Sequence, residues 1–133
     1  MKQAFDVGPE WAPRAQGLLR IVASYLFLQH GTAKFFGIPD LNMSPALFSL
    51  PGLAGVLEIA GGILMLIGLF TRPVAFILSG FMAVAYFMAH NPQAFMSPLT
   101  NGGELAVLYC FVWLFFFAAG PGAFSVDNAR RRL

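Results

Sequence analysis

Four apolar runs dominate this chain, at about residues 15–36, 52–70, 74–90 and 101–119, and each ends in a turn built on proline, on glycine or on both. The turns are Gly37-Ile38-Pro39-Asp40, Thr71-Arg72-Pro73, Asn91-Pro92 and Gly120-Pro121-Gly122. Each run is close to the roughly 17–25 residues that a helix needs to cross a bilayer. Charged residues make up 11% of the chain and hydrophobic ones 58%, with a mean hydropathy of +0.71. Soluble domains carry about 25% charged residues, so a chain this poor in charge cannot clothe a water-facing surface. The expected fold is all-α: one integral membrane four-helix bundle filling residues 1–133.

The basic residues give such a bundle a direction. Lys2, Arg14, Arg72, Arg130, Arg131 and Arg132 all fall on one side of the alternating spans, and Lys34 alone falls near the other. The positive-inside rule then predicts that both termini are cytoplasmic. A net charge of +2, carried mostly at the chain ends, argues against a nucleic-acid surface. The first run contains Arg20 and lacks a tidy small-residue cleavage site, so it reads as a retained helix rather than a signal peptide. Cys110 is the single cysteine, which rules out an internal disulfide or a dithiol pair. Residues 37–51 read as a loop or a short interfacial helix, with Ser44-Pro45 as a cap and first turn. Met43-Ser44-Pro45 recurs as Met96-Ser97-Pro98. Each copy follows a helix with a histidine near its outer end and precedes one with a glutamate there, a faint sign of two related hairpins.

An ionisable group inside a span costs roughly 2.5–3.5 kcal/mol on insertion scales, so those present should face the bundle interior. Arg20, His30 and Lys34 lie within a sector of about 80° on the first helix. Arg20 and Lys34 can also snorkel toward opposite headgroups. Gly55, Glu58 and Gly62 share a face of the second helix, and glycines permit close approach, so Glu58 should point at another helix. His30 and Lys34 are its candidate partners. Asn101-Gly102-Gly103-Glu104 fits a capping box, Asn101 being the N-cap and Glu104 reaching back to it. His30, Lys34, Glu58, His90 and Glu104 are thus expected together in the outer half, as a buried packing pair or as a group that exchanges protons and binds a ligand. No metal motif with helical spacing is present, and neither metal nor haem is expected.

Several short motifs occur in a telling order. Leu19-Arg20 comes first, then His30-Gly31 with Lys34, then Glu58-Ile59-Ala60-Gly61-Gly62 and Gly68-Leu69-Phe70-Thr71-Arg72-Pro73. Asn101-Gly102-Gly103-Glu104 and Gly120-Pro121-Gly122 follow, then Ser125 and Asp127. The set resembles the DoxX/DoxD family of small bacterial and archaeal membrane proteins over about residues 17–127. That resemblance implies a multi-pass protein of the cytoplasmic (inner) membrane. It also implies a redox connection, because relatives include a subunit of a thiosulfate:quinone oxidoreductase and a membrane partner in thiol and superoxide detoxification. The chain offers no dithiol or loop cysteine for sulfur transfer.

The leading expectation is a quinone-interacting subunit or accessory of a membrane oxidoreductase, with partner redox proteins. Glu58, His30 and Glu104 would relay protons, and Lys34, His90, Asn101 and Arg20 would contribute to ligand binding. The alternatives are a non-catalytic scaffold and a small-solute or lipid-handling protein. The second of these would call for a homo-oligomer, since a chain this short has little room for a water-filled path.

Overall fold

A computed structural model describes residues 6–132, and among these every regular element is helical. Lys2, counted above among the basic residues of one side, lies outside them. The long helices are α1 (Trp11–Phe36), α2 (Leu50–Ile67) and α3 (Thr71–Ala85), which runs on through a π-helical turn at Tyr86–His90 and a 3-10 turn at Asn91–Gln93. A short α4 (Pro98–Asn101) precedes α5 (Glu104–Ala119), and α6 (Val126–Arg131) closes the chain.

Local chemistry explains the boundaries and where they differ from expectation. The first helix starts at Trp11 rather than near Ala15, because Pro13 sits in the first turn, where a missing N–H costs nothing. It stops at Gly37, whose left-handed backbone (φ 63°) returns its N–H to the Thr32 carbonyl. Ser49, not Ser44, caps α2: its hydroxyl accepts the Gly52 N–H at 3.2 Å, with Pro51 in the first turn. The capping box at Asn101 does not form. Gly103 occupies the N-cap position of α5, and the Asn101 Oδ1 instead accepts the Gly103 N–H at 2.8 Å, folding the chain between α4 and α5.

The pairings α1 with α2 and α3 with α5 are the most extensive, and α2 joins the two. Small residues set how closely α1 and α2 lie. A methyl group on Gly31 would come within 2.9 Å of the Gly55 carbonyl oxygen, and one on Gly62 within 3.2 Å of the Leu28 Cα. Around this seam a shared core gathers Ala23, Phe27, Met65, Ala75, Leu78, Met82, Tyr109, Trp113 and Phe116. Phe27 stands edge-on to Tyr109 at 5.3 Å and to Trp113 at 5.4 Å between ring centroids, the geometry aromatic quadrupoles favour.

Polarity is distributed inside out. Large apolar side chains face outward on all four long helices, among them Leu18, Val22, Leu53, Ile63, Phe76, Val84, Leu108 and Phe111, whereas Arg20, Ser24, Glu58, Thr71, Ser79 and Asn101 are buried. Two stretches are both long and apolar enough to cross a membrane: Leu50–Ile67 with mean hydropathy 2.0, and Thr71–Gln93 with 1.6. The apolar helix Glu104–Ala119 has 16 residues and falls short of that length. Helix α1 is long enough at 26 residues but is interrupted by Arg14, Arg20, His30 and Lys34.

Both ends of the described chain meet at one end of the molecule, called proximal here. Ala123 donates its N–H to the Pro13 carbonyl at 2.9 Å, and Gln16 reaches the Gly120 carbonyl at 2.8 Å. Arg72 caps the C-terminus of α5 through the carbonyls of Phe117 (3.0 Å) and Ala118 (2.6 Å). Asp127 caps α3, its two oxygens accepting the N–H groups of Phe70 and Thr71 at 2.9 Å each. Burial alone would raise the Asp127 carboxyl, but these bonds from Thr71 and Phe70, with Arg130 nearby, hold it below the usual carboxylate range.

Two predictions follow from this packing. Gly31→Ala should lower detergent unfolding stability by about 1–3 kcal/mol. Gly80→Ala, where a methyl group meets open space, should be neutral or slightly stabilising; equal behaviour of the two variants would refute the close α1–α2 seam. Because the folded Asp127 pKa is depressed, its contribution is present above the ordinary carboxylate value and is lost as pH falls through the folded one. Hydrogen exchange at Phe70 and Thr71, taken relative to the intrinsic rate at each pH, should therefore accelerate on acidification below the ordinary carboxylate range. In Asp127→Asn it should be fast throughout and lose that dependence.

Candidate functional site

The groups expected to cluster divide into two sites at the distal end and one at the proximal end. The centre of the first is an ion pair. Lys34, in the last turn of α1, donates to Glu58 Oε1 at 2.6 Å, and the two side chains are only 13% and 6% exposed. Of the two candidate partners of Glu58, the structure selects Lys34. The glycine face makes this contact feasible. Gly55, Glu58, Gly61 and Gly62 are all buried, and a Cβ at Gly55 would sit 3.3 Å from the Lys34 Cδ. The lysine stem therefore lies over bare backbone before its ammonium meets the carboxylate.

Glu58 is only half satisfied. Its Oε2 is buried without a hydrogen-bond partner among the described residues. A carboxylate oxygen so placed in a low-dielectric interior is expensive unless something donates to it. The ring of His30 stands perpendicular to the ring of buried Tyr109 of α5 at 6.4 Å. His30 itself is exposed on α1, one helical turn from Lys34. The distal site thus holds an exposed imidazole packed on a buried phenol, and a carboxylate with an unpartnered oxygen beside a fixed ammonium.

Tyr109 was not singled out from the sequence, although a phenol in the middle of the last apolar run was a usable sign. The Nε1 of Trp113, one helical turn on, is likewise buried without a partner among the described residues, as is the Ser24 hydroxyl.

His90 and Asn101 build a separate polar node. The Asn101 amide donates to the Tyr86 hydroxyl at 3.0 Å and to the Ala94 carbonyl at 3.1 Å, and the His90 Nδ1 lies 3.3 Å from the Asn101 carbonyl oxygen. Tyr86 is the first residue of the π-helical turn, and the node anchors that turn to the start of α5. Glu104 is exposed, in an apolar groove with Pro98, Leu99, Leu105 and Leu108, and makes no hydrogen bond or ion pair to Lys34, Glu58 or His30 among the described residues.

Arg20 belongs to the proximal end and has no exposed surface. Its guanidinium donates to the carbonyls of Met65 (2.9 Å), Pro121, Ala123 (3.1 Å) and Phe124 (2.7 Å). It snorkels to neither headgroup region, and its donors are spent on backbone. No group of three or more histidine, cysteine, aspartate or glutamate residues among the described ones is placed to hold a metal ion.

The ion pair makes a thermodynamic prediction. Lys34→Met leaves Glu58 buried and uncompensated and should cost about 3–5 kcal/mol of stability. Adding Glu58→Gln to it should recover most of that loss, so that a double-mutant cycle in detergent reports strong coupling. Additive effects would mean that the two side chains do not interact.

Comparison with known proteins bears on this geometry. The DoxX family model matches residues 15–91, which contain Arg20, His30, Lys34 and Glu58. An uncharacterized protein of Haemophilus influenzae is 45% identical over 124 residues, covering 90% of this chain and 92% of that protein. Inner membrane protein YqjF of Escherichia coli is 30% identical over 139 residues, covering 96% of this chain and 95% of YqjF. No solved structure matches. With the family model spanning more than half of the chain and both relatives aligned over nearly their whole length, this protein belongs to the DoxX family of membrane proteins.

Proposed function

We propose that the chain crosses the bacterial cytoplasmic membrane four times with both termini inside, and that it serves as a quinone-interacting accessory of a membrane oxidoreductase. The four-span reading is supported by the inverted polarity of the surface. Arg20 and Lys34, the charges that depress the hydropathy of α1, are turned inward and partnered, so lipid does not meet them. At 1.5 Å per residue α1 is about 39 Å long, ample for a bilayer core of about 30 Å. Helix α5 spans about 24 Å, a mismatch that local thinning and the flanking α4 turn can absorb. The name of YqjF supports the inner membrane.

The observation that carries the functional reading is the unpartnered Glu58 Oε2 beside the Lys34 ammonium, with exposed His30 one helical turn from Lys34. A quinone arrives from lipid and offers carbonyl oxygens that need donors. His30 meets the lipid side and can donate to one. Lys34 is a fixed cation that favours negative charge developing nearby. Glu58 can hold or release a proton on the oxygen that has no other partner. Quinone, when bound, would supply the electron-carrying chemistry; the chain's own residues bind, orient and exchange protons. His90, Asn101 and Arg20 are assigned structural tasks in this reading, and Glu104 is left out of the relay. The accessory role is supported by apolar residues at the distal end, where Phe48 and Phe95 in the loops and Leu99 on α4 stand at least 80% exposed, as a surface for a partner would.

The test is quinone content, by mass spectrometry, of protein purified gently from native membranes. Quinone should accompany the wild type and fall roughly tenfold or more in His30→Ala, which removes an exposed donor and, of the core, only its edge contact with Tyr109. Glu58→Gln in the Lys34→Met background should deplete it further. Quinone-free wild-type protein with reproducible protein partners would transfer the assignment to a non-catalytic scaffold.

A further inference from the structure

The proximal end holds a second feature that the distal site does not use. An open cleft of about 390 Å³ lies between the start of α3, the Gly120-Pro121-Gly122 turn and α6, with Phe70, Arg72, Pro121, Asp127, Arg130 and Arg131 in its wall. We propose that this cleft binds a phosphate group, delivered by the headgroup of an anionic phospholipid or by a soluble phosphate compound.

Three guanidinium groups line the cleft beside a single carboxylate, so positive charge is in excess there. Both oxygens of Asp127 accept backbone N–H groups, and Asp127 forms no ion pair with the arginines among the described residues. Arg72 uses one nitrogen on the Phe117 and Ala118 carbonyls, which fixes its plane at the cleft wall. Its remaining nitrogens have no acceptor among the described residues. Arg130 stacks over the Phe70 ring at 5.5 Å, a contact that positions the guanidinium, and its N–H donors have no acceptor among the described residues. Arg131 forms no hydrogen bond or ion pair among the described residues. Planar guanidinium forks match the tetrahedral oxygens of phosphate in bidentate fashion, and several of them converging on a concavity give geometry as well as charge.

The surroundings favour a lipid as the source. Phe76 lies one turn along α3 from Arg72, and its ring packs at 5.2 Å against Phe117, the residue whose carbonyl Arg72 caps. Both rings are exposed, so an apolar strip leads away from the cationic cleft along the outer surface. A headgroup held by the arginines would lay its acyl chain on that strip. Basic residues beside a helix end attract anionic lipid with about 1 kcal/mol each. The membrane setting of this strip rests on the four-span reading; the phosphate site itself does not.

Full-length protein in detergent, stripped of lipid, should be titrated with phosphatidylglycerol or phosphatidylcholine of the same acyl chains, and bound lipid counted by native mass spectrometry. The wild type should prefer phosphatidylglycerol, and Arg130→Gln with Arg131→Gln should weaken that binding roughly thirty-fold. Both residues are exposed on α6, and an unchanged unfolding midpoint will confirm that the fold is intact. Competition by inorganic phosphate assigns the site to soluble phosphates, and its failure assigns it to lipid; each supports a phosphate site. Equal binding of the two lipids with no phosphate competition, or a double variant that binds like the wild type, overturns it. Detergent removes sidedness from the measurement. A C-terminal reporter found outside the cell would thus refute the topology while leaving this assignment untouched.

Discussion

Arg20 puts a permanent charge where no solvent reaches, and the proximal half of the molecule is arranged around giving it oxygen. One acceptor, the Met65 carbonyl, comes from the last turn of α2, where the helix dipole is negative. The others come from residues 121–124, which would otherwise leave the bundle after α5. A guanidinium cannot shed its proton to escape burial, so its carbonyls must be in place whenever the helices are. That requirement brings the chain back across the end of α1 and sets Asp127 beneath the first turn of α3. In lipid the apolar surfaces of two helices gain little by meeting, which gives polar ties such as these and the Lys34–Glu58 pair a larger share in specifying the packing.

The two ends of the molecule handle buried charge differently. Proximally, the charges that are held are held by backbone: Arg20 by carbonyls, one nitrogen of Arg72 by the end of α5, Asp127 by amides. Distally, charge meets charge, and one oxygen of Glu58 is left over. A fully satisfied network rigidifies, whereas a partly satisfied one is a place where a ligand or a proton has something to gain. The same contrast separates Glu58 from Glu104, which sits in an exposed groove with its carboxylate free. The pairings α1 with α2 and α3 with α5 are the two most extensive. Their glutamates occupy different environments, and the faint repeat in the sequence does not extend to the site.

Much of this was legible in the residues themselves. The glycine face of α2 announced that Glu58 looks at a neighbouring helix, because a spacing of three and four residues fixes a face whatever the rest of the fold does. Low charge and apolar runs announced helices with lipid-like exteriors. The ends were less readable. Asn101 through Glu104 satisfies the pattern of a capping box, yet the Asn101 Oδ1 accepts the Gly103 N–H two residues on, while its amide donates to the Tyr86 hydroxyl, 15 residues away in the chain. Ser44-Pro45 and Ser49-Leu50-Pro51 offer nearly the same start signal, and only the second is used.

By itself the sequence determined what must be helical, which faces must turn inward and which residues cannot be left facing lipid, because these follow from periodicity and from the cost of desolvating charge. Only the tertiary structure decided the partnerships. Lys34 rather than His30 reaches Glu58, because the lysine stem lies over the bare backbone at Gly55. Tyr109 joins the site because α5 packs against α1 at the level of Phe27 and His30. Arg20 finds carbonyls rather than a carboxylate, because the segment after Gly120 folds back. Each of these depends on the relative rotation and depth of separate helices, a quantity that no local spacing encodes.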